Sequence, residues 1–371
     1  MKRLYLLLIF FLLFLWAIAQ TDKTTNWREL YRGSYPKVND LVNTKLNVRF
    51  DFDKSCLYGE VWITLKPHFY STDSLILDAK QMFITTVALV ERNITRPLLY
   101  RYDGWHVTIK LGKLYTASEK YTIYIKYTSK PNEAKLPDDK RGLYFINPRG
   151  NQKDKPTQIW TDDETENTSV WCPTIDKPDQ KTTEEIMMTV PDKYVTLSNG
   201  QLISQKLNPG GTRTDYWKMD QPHAPYLFFM GLGDFAIVKD QFKGKEVNYY
   251  VEKEYISTTR RVFGLTPAMM AYFENITGVP FPWVKYSQIV LRDFTSTAME
   301  NTTATAHAEN AQQDSRELID GNSWENNIAH ELFHQWFGDY VTAESWSNLT
   351  VNESFADYSQ FLWKEDRKSV V

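Results

Sequence analysis

Hydrophobic and polar positions alternate in short runs across the first third of the chain. Leu46, Val48, Phe50 and Phe52 share one parity, as do Val61, Ile63 and Leu65, then Trp105, Val107, Ile109 and Leu111, then Tyr121, Ile123, Ile125 and Tyr127. A period of two sends successive side chains to opposite faces, so these runs predict strands with one wet face. Tyr102-Asp-Gly104 and Asn208-Pro-Gly-Gly211 supply turn residues between them. Helical spacing is nearly absent before residue 250, and residues 20–235 read as an all-β domain. Beyond Phe235 the period changes. A helix is expected from Ser257 to Ile276, stopped by Gly278 and Pro280, then a strand around Ser287 to Leu291, then the Thr297 to Thr305 segment and two further helices. Residues 236–371 therefore read as an α+β domain. The 371 residues exceed a comfortable single core, which agrees with two domains, and no internal repeat or low-complexity linker interrupts them.

The first of those two late helices carries the candidate chemistry. Positions i and i+4 fall on one helix face, so His330 and His334 can aim two imidazole nitrogens at one point. Ile328, Ala329, Leu332, Phe333, Trp336 and Phe337 make the stretch apolar elsewhere, which implies burial. Amphipathic helices do place histidines at this spacing by accident, but a buried imidazole or carboxylate without a partner costs about 1 to 3 kcal/mol. A bound cation removes that penalty. A hydrolytic zinc needs a third protein ligand and an open position for water, and Glu353 follows His334 after 18 intervening residues. Glu331 is better placed to take a proton from that water than to share the metal, and is the expected general base. Glu353 could instead close a T-x-x-E capping box with Thr350. Asp339, Glu344 and Asp357 are competing third ligands.

His330-Glu-Leu-Phe-His334, then Gln335-Trp336-Phe337-Gly338-Asp339, then Asn352-Glu353-Ser-Phe-Ala356 resemble the M1 family of zinc aminopeptidases. Thr297-Ala298-Met299-Glu300-Asn301 resembles that family's second signature, G-A-M-E-N, with threonine where glycine is usual. Glycine there would allow close approach of backbone to ligand, so Thr297 is expected to alter how a substrate's main chain docks. A third match runs from Trp160-Thr-Asp-Asp-Glu164 through Trp171-Cys-Pro173, Asp176, Pro178 and Lys181-Thr182. Asp162 and Asp163 replace its usual glutamine and small residue. The resemblance implies one zinc ion per chain, held by His330, His334 and Glu353. It implies that Glu300, with Glu164, binds the free ammonium of a peptide substrate while the backbone at Ala298 and Met299 pairs with it as an added strand. The competing reading of Glu164 is a solvated acidic run with Asp162, Asp163 and Glu166. The resemblance further implies a thermolysin-like catalytic domain and an oxyanion-stabilising tyrosine beyond the glutamate ligand. Tyr340 and Tyr358 lie too near the zinc helices for that role and read as core or rim aromatics. With the chain stopping at Val371, the catalytic domain is expected to be incomplete.

The amino end reads as an export leader. Lys2 and Arg3 precede an apolar run from Leu4 to Leu15, and Ala17-Ile18-Ala19 gives a small-x-small cleavage pattern before Gln20. The run is shorter than the roughly 20 apolar residues of a membrane anchor, so cleavage after residue 19 and a periplasmic or extracellular location are expected, without a stable anchor. Loss of Lys2 and Arg3 moves the formal net charge from −3 to −5, which gives no footprint for nucleic acid. Cys56 and Cys172 fit one disulfide or two buried thiols equally. Three functional classes remain. An aminopeptidase would need a free amine on its substrate, a zinc endopeptidase would tolerate acetylation and leave Glu300 idle, and a noncatalytic binding module would have no need of Glu331.

Overall fold

The computed structural model describes residues 34, 36–92, 94–136 and 140–370. The leader expected at residues 1–19 lies outside them. Among the described residues, no helix is long and apolar enough to cross a membrane.

Residues 37–371 form one compact unit, in which a β-rich part precedes a mixed α+β part. The alternating runs become strands. In Cys56–Pro67, Val61, Ile63 and Leu65 are fully buried while Trp62, Thr64 and Lys66 are only partly covered. This strand lies between Asn39–Asp51 and Tyr121–Ser129, antiparallel to both, within an eight-stranded sheet. A three-stranded sheet built on Thr72–Asp78 and His106–Tyr115 sends Leu75, Leu77, Val107, Ile109 and Leu111 into the same core. Each such side chain contributes about 1.5 to 3 kcal/mol on burial.

A four-stranded sheet follows, in which Gln158–Asp162 pairs with Gly142–Ile146 and with Met230–Gly233. It carries the third sequence match toward the later part of the chain. The Trp160 indole donates to the Arg292 carbonyl at 3.2 Å, and the Arg292 amide donates to Gln158 Oε1 at 2.9 Å.

The α+β part is organised by a mixed five-stranded sheet, in which Tyr286–Leu291 runs parallel to Lys245–Val251 and to Ala304–Ala308. Ala298–Met299 pairs antiparallel with Ala304–Ala308 and forms one edge. The helix expected from Ser257 to Ile276 is two helices, Thr259–Phe263 and Thr266–Thr277. Pro267 accounts for the break: it sits in the first turn of the second helix and lacks the N–H that a continuous helix would use. The expected stop holds, because Gly278 takes the left-handed conformation at φ 68° that ends helices at low cost.

Two further helices, Glu325–His334 (the histidine helix) and Thr350–Val370 (the glutamate helix), pack together. Trp363 and Arg367, late in the second, hold Glu325, at the start of the first, at 2.8 and 3.1 Å, so the two run antiparallel. Phe273, Phe281, Phe333 and Trp336 fill the space beneath them, with ring centroids 4.9 to 6.3 Å apart.

Candidate metal and amine site

The histidine helix buries Ile328, Ala329, Leu332 and Phe333 in the second core, which fixes the direction of its other face. On that face the Nε2 atoms of His330 and His334 stand 3.0 Å apart. Glu353, in the first turn of the glutamate helix, brings Oε2 to 3.5 Å from the first and 3.6 Å from the second. Zinc–ligand bonds of about 2.0 to 2.2 Å in tetrahedral geometry require ligand atoms roughly 3.3 Å apart. The three side chains therefore fit a zinc ion. Glu353 directs its carboxylate at the imidazoles rather than back at the start of its own helix.

The other ring nitrogens are committed. His334 Nδ1 donates to the Phe337 carbonyl at 2.9 Å, and His330 Nδ1 lies 3.2 Å from Asp357 Oδ1. The His334 bond puts its ring proton on Nδ1 and leaves Nε2 free for a metal, while His330 Nδ1 is shared between Asp357 Oδ1 and Gln360 Nε2, the latter at 3.1 Å. Asp357, a competing ligand in the sequence, thus stands behind His330 instead of joining the Nε2 atoms. Asp339 is fully buried beside His334 and Glu300, where burial and then the Glu300 charge hold its carboxyl well above the usual range. Glu344 is exposed in the connecting loop.

Gly338 is the residue the tight turn requires. Its φ is 129°, and a Cβ would meet His334 Nδ1 at 3.0 Å and Glu300 Oε1 at 3.6 Å.

Burial raises the Glu331 carboxyl to about 7, against the opposing pull of His330 and His334. Burial also opposes the charge on Glu353, but His330 and His334, when protonated at Nε2, outweigh it through their hydrogen bonds and hold its carboxyl below the ordinary range. A group near neutrality beside one held ionised is the division of labour expected of a base and a ligand.

Glu300 is 4% exposed, and its carboxylate lies within 4.8 Å of ligand atoms of both Glu331 and His334. Its backbone carbonyl accepts from Gln335 Nε2 at 2.9 Å, while Gln335 Oε1 accepts from the Thr303 amide at 3.0 Å. The turn after the histidine helix is thereby bound to the segment carrying Glu300. Thr297 is exposed and its backbone is not in the left-handed region, so the loss of glycine there imposes no strain.

Glu164, in the β-rich part, feels the charges of the same site. Burial first, then the charges of Glu300 and Glu353, push its carboxyl up to about 8. The acidic run around it is not a solvated face. Asp162 and Asp163 are 5% and 0% exposed, Asp162 accepts from Thr295 Oγ1, Asp163 accepts from the Trp171 indole at 2.8 Å, and Glu166 pairs with Lys177 at 2.7 Å.

Ala298 and Met299 form the short edge strand, so their outward backbone groups are placed for pairing with an extended peptide. Tyr340 and Tyr358 are rim residues, 52% and 59% exposed. Cys56 and Cys172 are separate buried thiols.

One contributor escaped the sequence reading. Tyr226 is buried, donates to Glu300 Oε1 at 3.2 Å and accepts from Asn352 Nδ2 at 3.1 Å. Its only signal was a tyrosine in the apolar run Ala224-Pro-Tyr-Leu-Phe-Phe, which reads as core.

Comparison with known proteins agrees with this arrangement. The family description "Peptidase M1 N-terminal domain" matches residues 35–227, and "Peptidase family M1 domain" matches residues 262–370. Human glutamyl aminopeptidase is 32% identical over 209 residues, 55% of this chain and 22% of its own length. The pig glutamyl aminopeptidase is 26% identical over 366 residues, 93% of this chain and 37% of its own. Rat endoplasmic reticulum aminopeptidase 1 is 26% identical over 78% of this chain and 32% of its own. This chain thus spans between about a fifth and two fifths of these relatives. Among solved structures, an M1 zinc metallopeptidase from Deinococcus radiodurans superposes with a TM-score of 0.75 at 20% identity, over 91% of this chain and 73% of that one. That likeness carries the fold. The family assignment rests on the N-terminal match, which covers more than half of the chain, and on the catalytic-domain match that follows it in order: the protein belongs to peptidase family M1.

Proposed function

We propose that this chain carries the site of a zinc-dependent aminopeptidase, which removes the first residue from peptides bearing a free N-terminus. One observation supports the reading above others: the Glu300 carboxylate lies within 4.8 Å of His334 and Glu331, next to the His330, His334 and Glu353 cradle. An ammonium held that close to the metal brings only the first peptide bond to it. An endopeptidase would have no use for an anion there.

Bound zinc supplies an acidified water and polarises the scissile carbonyl. The chain's own groups do the rest. Glu331 holds the proton taken from the attacking water and returns it to the leaving amine. Glu300 and Glu164 bind the ammonium, and the edge strand at Ala298 and Met299 orients the substrate backbone. Glu300 and Glu331 are 4% and 6% exposed, a low-dielectric setting in which their charges act most strongly.

The test uses the zinc-loaded full chain with L-alanyl-4-nitroanilide and its N-acetyl derivative. Cleavage of the first alone supports the reading, and equal cleavage of both removes it. Elemental analysis should return one zinc per chain. We further propose export after cleavage between Ala19 and Gln20, which amino-terminal sequencing of secreted material would check.

A further inference from the structure

The acid assigned to the substrate's ammonium is itself held from two sides, and each side leads to a different metal-ligand helix. Through its carboxylate, Glu300 accepts from Tyr226 Oη at 3.2 Å, and Tyr226 Oη accepts in turn from Asn352 Nδ2 at 3.1 Å. Asn352 directly precedes Glu353 and also accepts from the Ala343 amide at 3.0 Å, which fixes the start of the glutamate helix. Through its backbone carbonyl, Glu300 accepts from Gln335, the residue after His334.

Tyr226, Asn352 and Glu300 are 1%, 0% and 4% exposed, so these bonds lie away from bulk water. The phenol has one proton and two acceptors in reach, Glu300 Oε1 and the Gly338 carbonyl at 3.3 Å. The carboxylate is favoured because a hydrogen bond to an ionised acceptor is the stronger. Trp346 meets the Tyr226 ring edge to face at 5.0 Å and holds its orientation.

We propose that Tyr226 is a positioning residue that sets the distance between the ammonium anchor and the metal cradle. This rests on the aminopeptidase reading. The phenol aims the Glu300 carboxylate and couples it, through Asn352, to the helix that bears Glu353. Without that hydrogen bond the carboxylate swings toward other rotamers, and recognition of the free amine weakens while the metal ligands stay in place.

Tyr226→Phe in the zinc-loaded full chain tests this, since it deletes one oxygen and keeps the ring against Trp346. The expected result is an unchanged zinc content, KM for L-alanyl-4-nitroanilide raised about tenfold and kcat within about threefold of the wild type. Calorimetric titration gives a second readout. Affinity for L-leucine hydroxamate should fall about tenfold, while affinity for its N-acetyl derivative, which has no ammonium, should not change. If Tyr226→Phe does not fold, Asn352→Ser removes the next bond of the same relay and is read in the same way.

An unchanged KM with intact discrimination against the acetylated compound overturns the positioning role. So does a loss of zinc together with a fall confined to kcat, which marks a purely structural residue. A wild type that binds and cleaves acetylated and free compounds alike overturns the aminopeptidase reading, and the role built on it, before any variant is made.

Discussion

Two groups of ring nitrogens in the same half of the molecule, His307 and His334 buried and His330 half-buried, end in opposite conditions. His307, on the strand Ala304–Ala308, has both nitrogens satisfied by neutral partners, Gln288 Oε1 at 3.0 Å and the Trp324 indole at 3.2 Å. Burial lowers its imidazole to about 3, so it is a neutral core residue. His330 and His334 each commit one nitrogen to an oxygen and present the other to a shared point, where Glu353 also arrives. The contrast teaches that burial alone does not mark a ligand. What distinguishes the His330 and His334 pair is an Nε2 left without a neutral partner and turned toward another like itself.

The largest test of that contrast is His334→Ala. If the cradle is a metal site, zinc content falls from about one per chain to near zero and hydrolysis disappears. If it were a core cluster like that of His307, the variant would lose stability alone. Elemental analysis and a thermal melt separate the two outcomes.

Glu331→Gln should come next. Zinc is retained, and kcat for L-alanyl-4-nitroanilide falls by about 10² to 10⁴, because the shape of the group is kept and its capacity to take a proton is lost. Asp357→Asn should weaken zinc binding by about 10- to 100-fold, measured by competition with a chelator, since it removes the acid behind His330.

On the other side of the comparison, His307→Leu leaves zinc content alone and costs about 1 to 3 kcal/mol in denaturant unfolding, from stranding Gln288 and Trp324.

The smallest effect is in pH. The folded value for His307, about 3, lies below the ordinary 6.5, so the native state binds fewer protons there than the unfolded chain. Its contribution is complete above pH 6.5 and is lost as pH falls from there toward 3. The stability gap between wild type and His307→Gln should therefore narrow between pH 7 and pH 5, in midpoints read by circular dichroism.

Much of this was legible because it depends on local spacing. The alternation in Val61, Ile63 and Leu65 fixed one face of a strand, and the four-residue step from His330 to His334 fixed one face of a helix. The distance to Glu353 was legible as a motif. What it could not convey was which way the carboxylate would turn, since Thr350 offered a cap nearby.

The remainder depends on contacts between distant segments. Glu164 comes within electrostatic reach of Glu300 in a part of the chain where Trp160 and Gln158 dock on Arg292. The burial of Asp162 and Asp163 comes from Thr295 and Trp171, and a run of charges carries no sign of either. Tyr226 looked like core because it is core, with a single polar atom turned toward Glu300. The helix broken before Pro267 shows a local rule underweighted: a proline at a first turn signals a new start as well as a stop.

The two separate thiols have a practical consequence. Cys56 and Cys172 are 1% and 0% exposed, and burial pushes the Cys172 thiol well above its ordinary value. Neither can meet a maleimide dye while the β-rich part stays closed. Cys56 lies in the eight-stranded sheet and Cys172 beside the segment that delivers Glu164, so the chain already carries two reporters of opening at different places. Mass spectrometry of the labelled peptides would time each one without introducing a foreign residue.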